Sequence, residues 1–132
     1  MKNIFISIIF ILIAGCQFAT FPEESENSSW VFIANEGEYS FDGPTNTGSI
    51  SMINSSGEIH QTEALGDIVQ SLAIYNNKLI VAVNNSQKLL LFDISTNGLS
   101  NKTEILTTNS PREIVVIGDY AYFGSWNPDY TI

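Results

Sequence analysis

From Trp30 onward the chain alternates short apolar runs with clusters of Asn, Gly, Ser and Asp, and no stretch carries its apolar residues at the helical period. The runs are Trp30 to Ala34, Ser49 to Ile53, Gln70 to Tyr75, Leu79 to Val83, Leu89 to Phe92, Ile114 to Ile117 and Tyr120 to Gly124. Their lengths and the turn-forming residues between them are those of β-strands. The expected class is therefore all-β. "SISMI" (49–53) alternates and puts Ile50 and Met52 on one face, as in a strand covered on one side. "LIVAV" (79–83) is unbroken and reads as a strand covered on both faces.

The pattern also repeats. "IYNNKLIVAVNN" (74–85) lies over "VIGDYAYFGSWN" (116–127) at a shift of 42, so that Leu79 falls on Ala121 and Val81 on Phe123. "WVFIANEG" (30–37) lies over "LIVAVNNS" (79–86) at a shift of 49, the difference being extra residues in the first loop. "SISMINSSGEI" (49–59) likewise parallels "LLLFDISTNGL" (89–99). A period near 42 filled by about four short strands is what a propeller blade requires. The expectation is a partial β-propeller over residues 30–132, about two and a half blades of four-stranded antiparallel sheet. A small complete β-sandwich is the competing architecture, and it leaves the repeat as coincidence.

"VAVNNSQKLLLFD" (81–93) resembles the YVTN-type propeller repeat, with Asn84 at the Asn position and Asp93 closing the next strand after a turn one residue shorter than usual. "FIANEG" (32–37), with Asn35 in the same position, and "SPREIVV" (110–116) are similar to phrases of YncE-like cell-surface propeller proteins. The third repeat departs by placing Trp126 where Asn is expected. The resemblance implies a bacterial lipoprotein and a seven-bladed ring. On that basis the 132 residues are expected to be the front of a longer protein.

The N-terminus fits the same picture. One basic residue, Lys2, precedes the apolar run Ile4 to Ala14, and Gly15 and Cys16 follow. About 20 apolar residues are needed to span a bilayer as a helix, so this run is too short, and its three-part layout is that of a secretory signal peptide. The ending Ile13-Ala14-Gly15-Cys16 resembles the bacterial lipobox, which implies a helical signal peptide over 1–15 and lipidation of Cys16. An ordinary secretion signal followed by an unmodified thiol is the alternative. Residues 16–29 then comprise the lipidated cysteine and a flexible tether, because Glu23, Glu24 and Glu26 among small polar residues do not bury enough apolar surface to order the chain. The resemblance to Gram-negative lipoproteins, with Gln17 rather than Asp after the cysteine, implies sorting to the outer membrane. The membrane, reached through the lipid anchor, is thus one expected partner.

Charge narrows the others. Without residues 1–15, four basic residues (Lys78, Lys88, Lys102 and Arg112) face 14 acids, a net charge of −10. Binding phosphate backbones needs a basic surface, so nucleic acid is not an expected partner. The chain has one cysteine and one histidine, His60, which supplies no zinc set, and it has no Gly-x-Ser-x-Gly elbow and no Gly-rich phosphate loop. No cofactor, metal site or catalytic residue is therefore expected. His60 reads as an exposed polar residue.

The long first loop, "NEGEYSFDGPTNTG" (35–48), is the best place for binding, since loops on a rigid scaffold carry most binding residues. Glu36, Glu38 and Asp42 are its ligand-binding candidates, with Tyr39 and Phe41 between them. Their oxygens suit a hard cation, but the spacing is not that of an EF-hand loop. The plainer reading is a solvated reversal at Asp42-Gly43-Pro44. Arg112, in "NSPR", is the fourth candidate, able to hold an anion or a partner's carboxylate, or to form a structural ion pair. Two classes of function follow: a surface propeller binding a small nutrient molecule or a protein partner, or a propeller enzyme of lactonase or quinone-dependent dehydrogenase type. The enzyme would need its acids, histidines or metal ligands in blades beyond this stretch.

Overall fold

The computed structural model describes residues 29–126. The expected signal-peptide helix, Cys16 and the tether up to residue 28 lie outside the described residues. Within them the protein is all-β and contains no helix. Nine strands form three antiparallel sheets. The first sheet runs β1 (Val31–Asn35), β2 (Ser49–Ile53), β3 (Ile59–Gln61). The second runs β4 (Val69–Tyr75), β5 (Lys78–Val83), β6 (Lys88–Ser95), β7 (Gly98–Leu106). The third pairs β8 (Ser110–Ile117) with β9 (Tyr120–Trp126).

Each sheet is a meander; β1 and β2 are joined by the long 36–48 loop, and short turns join the strands of the second and third sheets. Asn76 takes a left-handed φ of +44° between β4 and β5, and Gly98 takes +98° after the β6–β7 turn. Both are residue types that enter this region at low cost. In the second sheet Ser95 Oγ receives a bond from the Asn97 amide at 3.2 Å and donates to the Gly98 carbonyl at 3.1 Å, closing that turn.

The core is built around β5. Leu79, Val81, Ala82 and Val83 are fully buried and Ile80 nearly so, as its unbroken apolar pattern predicts. Burying an aliphatic side chain of this size contributes about 1.5–3 kcal/mol, so this one strand anchors the middle of the molecule. Ile50, Leu65, Val69, Leu90 and Phe92 complete the cluster, with Met52 and Phe32 packed against it. Ile50 and Met52 of "SISMI" thus share the core-facing side, as expected. Ser49 is buried against expectation. It is tolerated because its hydroxyl meets the Gln61 amide at 2.7 Å and the Asn35 amide at 3.3 Å.

The 42-residue shift carries β4 and β5 onto β8 and β9, and the 49-residue shift carries β1 onto the end of β5. Strand pairing refines one alignment. Val31 pairs with Ile53 and its equivalent Ile80 with Leu91, so β2 and β6 correspond at a shift of 38 rather than 40. Both shifts are even, and each side chain keeps its face. Two strands, β3 and β7, were not expected. They are almost wholly exposed, and their polar sequences carry no strand signal. β8 also begins at Ser110, ahead of the expected Ile114, because Ser110 and Pro111 are buried against the core while Arg112 and Glu113 form a bulge in the register.

Candidate functional site

The three sheets are tied together where β1 ends, β4 begins, β5 turns into β6, and β8 begins. The turn after β5 acts as a clamp. Asn84 donates its backbone amide to the Ile68 carbonyl at 2.8 Å, and its buried side-chain amide reaches the Pro111 carbonyl in β8 at 2.9 Å. Ser86 Oγ accepts the Asp67 amide at 2.8 Å, and Asn85 Nδ2 donates to Asp67 Oδ2 at 2.9 Å. Gly48 and Gly66 form an isolated bridge beside this turn, with Gly48 N to Gly66 O at 2.9 Å. A Cβ on Gly48 would meet that carbonyl at 2.9 Å, so the close approach requires glycine there.

Ile68, held by this clamp, has φ +60°. A β-branched residue in the left-handed region is strained by on the order of 1–3 kcal/mol and persists only where surrounding contacts impose it. The Asn84 and Ser86 bonds on either side of Ile68 do so here.

The long loop 36–48 folds over the same end. Thr45 and Thr47 pin it: Thr47 Oγ1 accepts the Glu38 amide at 2.7 Å, and Thr45 Oγ1 donates to the Glu38 carbonyl at 2.7 Å. Between loop and clamp lies a cleft of about 460 Å³, within the size range of small-molecule sites. Glu36, Glu38, Tyr39, Phe41 and Pro44 line it from the loop, Asp67 and Ile68 from the segment before β4, Asn85 and Gln87 from the β5–β6 turn, and Ser110 from the start of β8.

Two of the four sequence candidates, Glu36 and Glu38, line this cleft. Asp42 does not; it sits on the outer bend, its amide bonded to Ser40 Oγ at 3.1 Å. Arg112 is exposed on β8, does not line the cleft, and makes no ion pair among the described residues. Sequence reasoning missed Asp67, the one buried carboxylate of the cleft. Its only local signal is its place behind Gly66 and ahead of the apolar β4, which is also the look of an ordinary turn.

The lining is acidic and aromatic. No Lys, Arg or His borders the cleft. His60 lies in β3, its ring centroid 5.8 Å from that of Trp30 and its Nε2 3.6 Å from Glu58. Serines near the cleft have no histidine to activate them, and among the described residues no three acids, histidines or cysteines converge as a metal site. The arrangement can hold and orient a small molecule; the described residues hold no nucleophile–base pair in it.

A second feature is distant from the cleft. Asp93 faces Lys78 across β5 and β6 and also accepts from Asn101 Nδ2 at 2.8 Å. The Lys78 bond, reinforced by Asn101, holds the Asp93 carboxyl below its ordinary value. Asp93, the strand-closing residue of the repeat, is therefore a cross-strand clamp.

No protein-family model matches the chain, and no curated protein matches it.

Proposed function

We propose that the chain is a lipid-anchored β-propeller module of the bacterial cell envelope, held at the outer membrane through Cys16, and that it captures a small molecule in the cleft under the 36–48 loop. The observation that carries the reading is the cleft itself, which is lined by segments connecting strands of the first two sheets and by Ser110, the first residue of β8 in the third. A site shared between repeated sheets at their common end suits a blade architecture, in which loops from successive blades gather at one face.

The blade reading draws support from strand equivalence. β4 and β5 recur 42 residues on as β8 and β9, and β4 touches both β1 and β8.

The test is a ligand-observed binding screen on the full chain, using small nutrient-like molecules and read against Glu38→Gln and Asp67→Asn variants. Ligands that bind the wild type and are lost in both variants support the reading. Turnover of a lactone or quinone substrate, or binding untouched by either variant, refutes it. The anchor is tested separately by metabolic labelling with an alkyne fatty acid. Labelling that persists in Cys16→Ser refutes the lipid attachment.

A further inference from the structure

We propose that Asn97, in the β6–β7 turn, is a site of spontaneous covalent modification that yields aspartate and isoaspartate, and that the isoaspartate form releases Trp30 from this turn. Asparagine is among the thermolabile residues. Its carboxamide is lost when the backbone nitrogen of the following residue attacks it, and a side chain on that residue hinders the approach. Gly98 is the only glycine in the chain that follows an asparagine. It carries no Cβ to shield its nitrogen, and its φ of +98° is one that glycine adopts without strain.

The surroundings single out the same residue. Asn97 is exposed, and its carboxamide makes no hydrogen bond among the described residues; only its backbone amide is engaged, by Ser95 Oγ. The carboxamides of Asn35, Asn54, Asn84, Asn85 and Asn101 are all held by hydrogen bonds, which restrain them from turning toward the next nitrogen. Asn46, Asn76, Asn77 and Asn109 are followed by Thr47, Asn77, Lys78 and Ser110, each with a side chain in the way. Gly98 is buried, and it forms with Ser95 the last pair of the β6–β7 ladder. An end pair opens locally at far lower cost than the sheet as a whole, and that opening exposes the Gly98 nitrogen to base.

In the step itself, hydroxide removes the Gly98 amide proton and the nitrogen forms a bond to Asn97 Cγ. The Cγ–Nδ2 bond breaks, the amide nitrogen takes a proton from water and leaves as ammonia, and a cyclic imide remains. Water then opens either carbonyl of the ring, to give aspartate or isoaspartate, with nothing oxidised or reduced. Aspartate leaves the main chain as it was. Isoaspartate routes it through Cβ and Cγ and so adds a methylene between Thr96 and Gly98. That turn is closed by Ser95 Oγ, which accepts the Asn97 amide and donates to the Gly98 carbonyl. Trp30, which leads into β1, donates its indole N–H to the Ser95 carbonyl at 2.9 Å, so the turn joins the first sheet to the second. The lengthened turn loses this closure, and the Ser95 carbonyl moves away from Trp30.

The experiment incubates the full chain at mildly alkaline pH and maps its peptides by mass spectrometry over time. The Asn97 peptide should pass from the mass of asparagine to that of aspartate severalfold faster than any other asparagine peptide, and should not do so in Asn97→Gln. Chains carrying isoaspartate are then separated by chromatography, and exchange of the Trp30 indole proton is followed by NMR. It should exchange severalfold faster than in the unmodified chain. Asn97→Asp, which has the charge without the methylene, should match the unmodified chain. An Asn97 peptide that converts no faster than the others overturns the site. An indole proton as protected in the isoaspartate form as in the unmodified chain, or equally deprotected in Asn97→Asp, overturns the release of Trp30.

Discussion

Replacing Asn84 with alanine tests whether the repeat asparagine joins sheets. The Asn84 side chain is 5% exposed, and its amide is a donor to the Pro111 carbonyl, in a residue that is itself fully buried. Alanine leaves that carbonyl without its partner in a place water does not reach. An orphaned buried acceptor costs about 1–3 kcal/mol, a large share of the 5–15 kcal/mol typical of a domain. In a domain of about 100 residues each kcal/mol lowers the melting temperature by about 4–8 °C, so a fall of about 4–24 °C is expected. Asn35, its equivalent in β1, provides the control. Its amide bonds Ser51 Oγ at 2.9 Å and Ser49 Oγ at 3.3 Å, both within its own sheet, and the site is half-buried. Asn35→Ala should cost only about 0.5–1.5 kcal/mol. Hydrogen exchange separates the two roles: in Asn84→Ala the amides of β8 and β9 should lose protection before those of β5, and in Asn35→Ala they should not. A melting temperature for Asn84→Ala within about a degree of wild type, or identical exchange patterns in both variants, refutes the role assigned to this residue.

Other perturbations probe other levels. Leu79→Ala, at a fully buried position in β5, should lower the urea-unfolding free energy by about 2–5 kcal/mol, whereas Phe41→Ala, 93% exposed, should change it by less than about 0.5 kcal/mol. Gly66→Ala should destabilise by at least about 1 kcal/mol in the same assay, because its Cβ would lie 2.6 Å from Ser86 Oγ and 2.8 Å from Val83 Cγ1 at a φ of +150°. Asp93 is held below its ordinary carboxyl value of 3.8 in the folded state, so its contribution is complete above that pH and disappears as pH falls through the lowered folded value. Urea midpoints measured down the acid range should show this loss in the wild type and a smaller one in Lys78→Met.

The strands with a one-sided or two-sided apolar pattern were legible because burial writes itself into side-chain polarity. β5 and β2 are the clearest cases: "LIVAV" is buried along its length, and Ile50 and Met52 of "SISMI" share the core side. β7 was not legible. "GLSNKTEIL" is a strand because Leu89, Leu90 and Leu91 of β6 offer it a backbone edge, and backbone hydrogen bonds leave no trace in side-chain pattern. Ser110 and Pro111 joined β8 for a related reason, the Asn84 bond to the Pro111 carbonyl, which no local rule foresees.

For the cleft, the sequence by itself determined that a long acidic and aromatic loop would sit between two strands, and so pointed to Glu36 and Glu38. Only the tertiary structure decided that Asp67, 31 residues beyond Glu36, joins them while Asp42 and Arg112 do not. A loop's composition is local, and so are the all-β class and the 42-residue repeat. Which acidic residue is buried depends on the turn that packs against it, here Asn84 to Gln87, and that meeting of distant segments is specified by packing around β5 rather than by any neighbour in the chain.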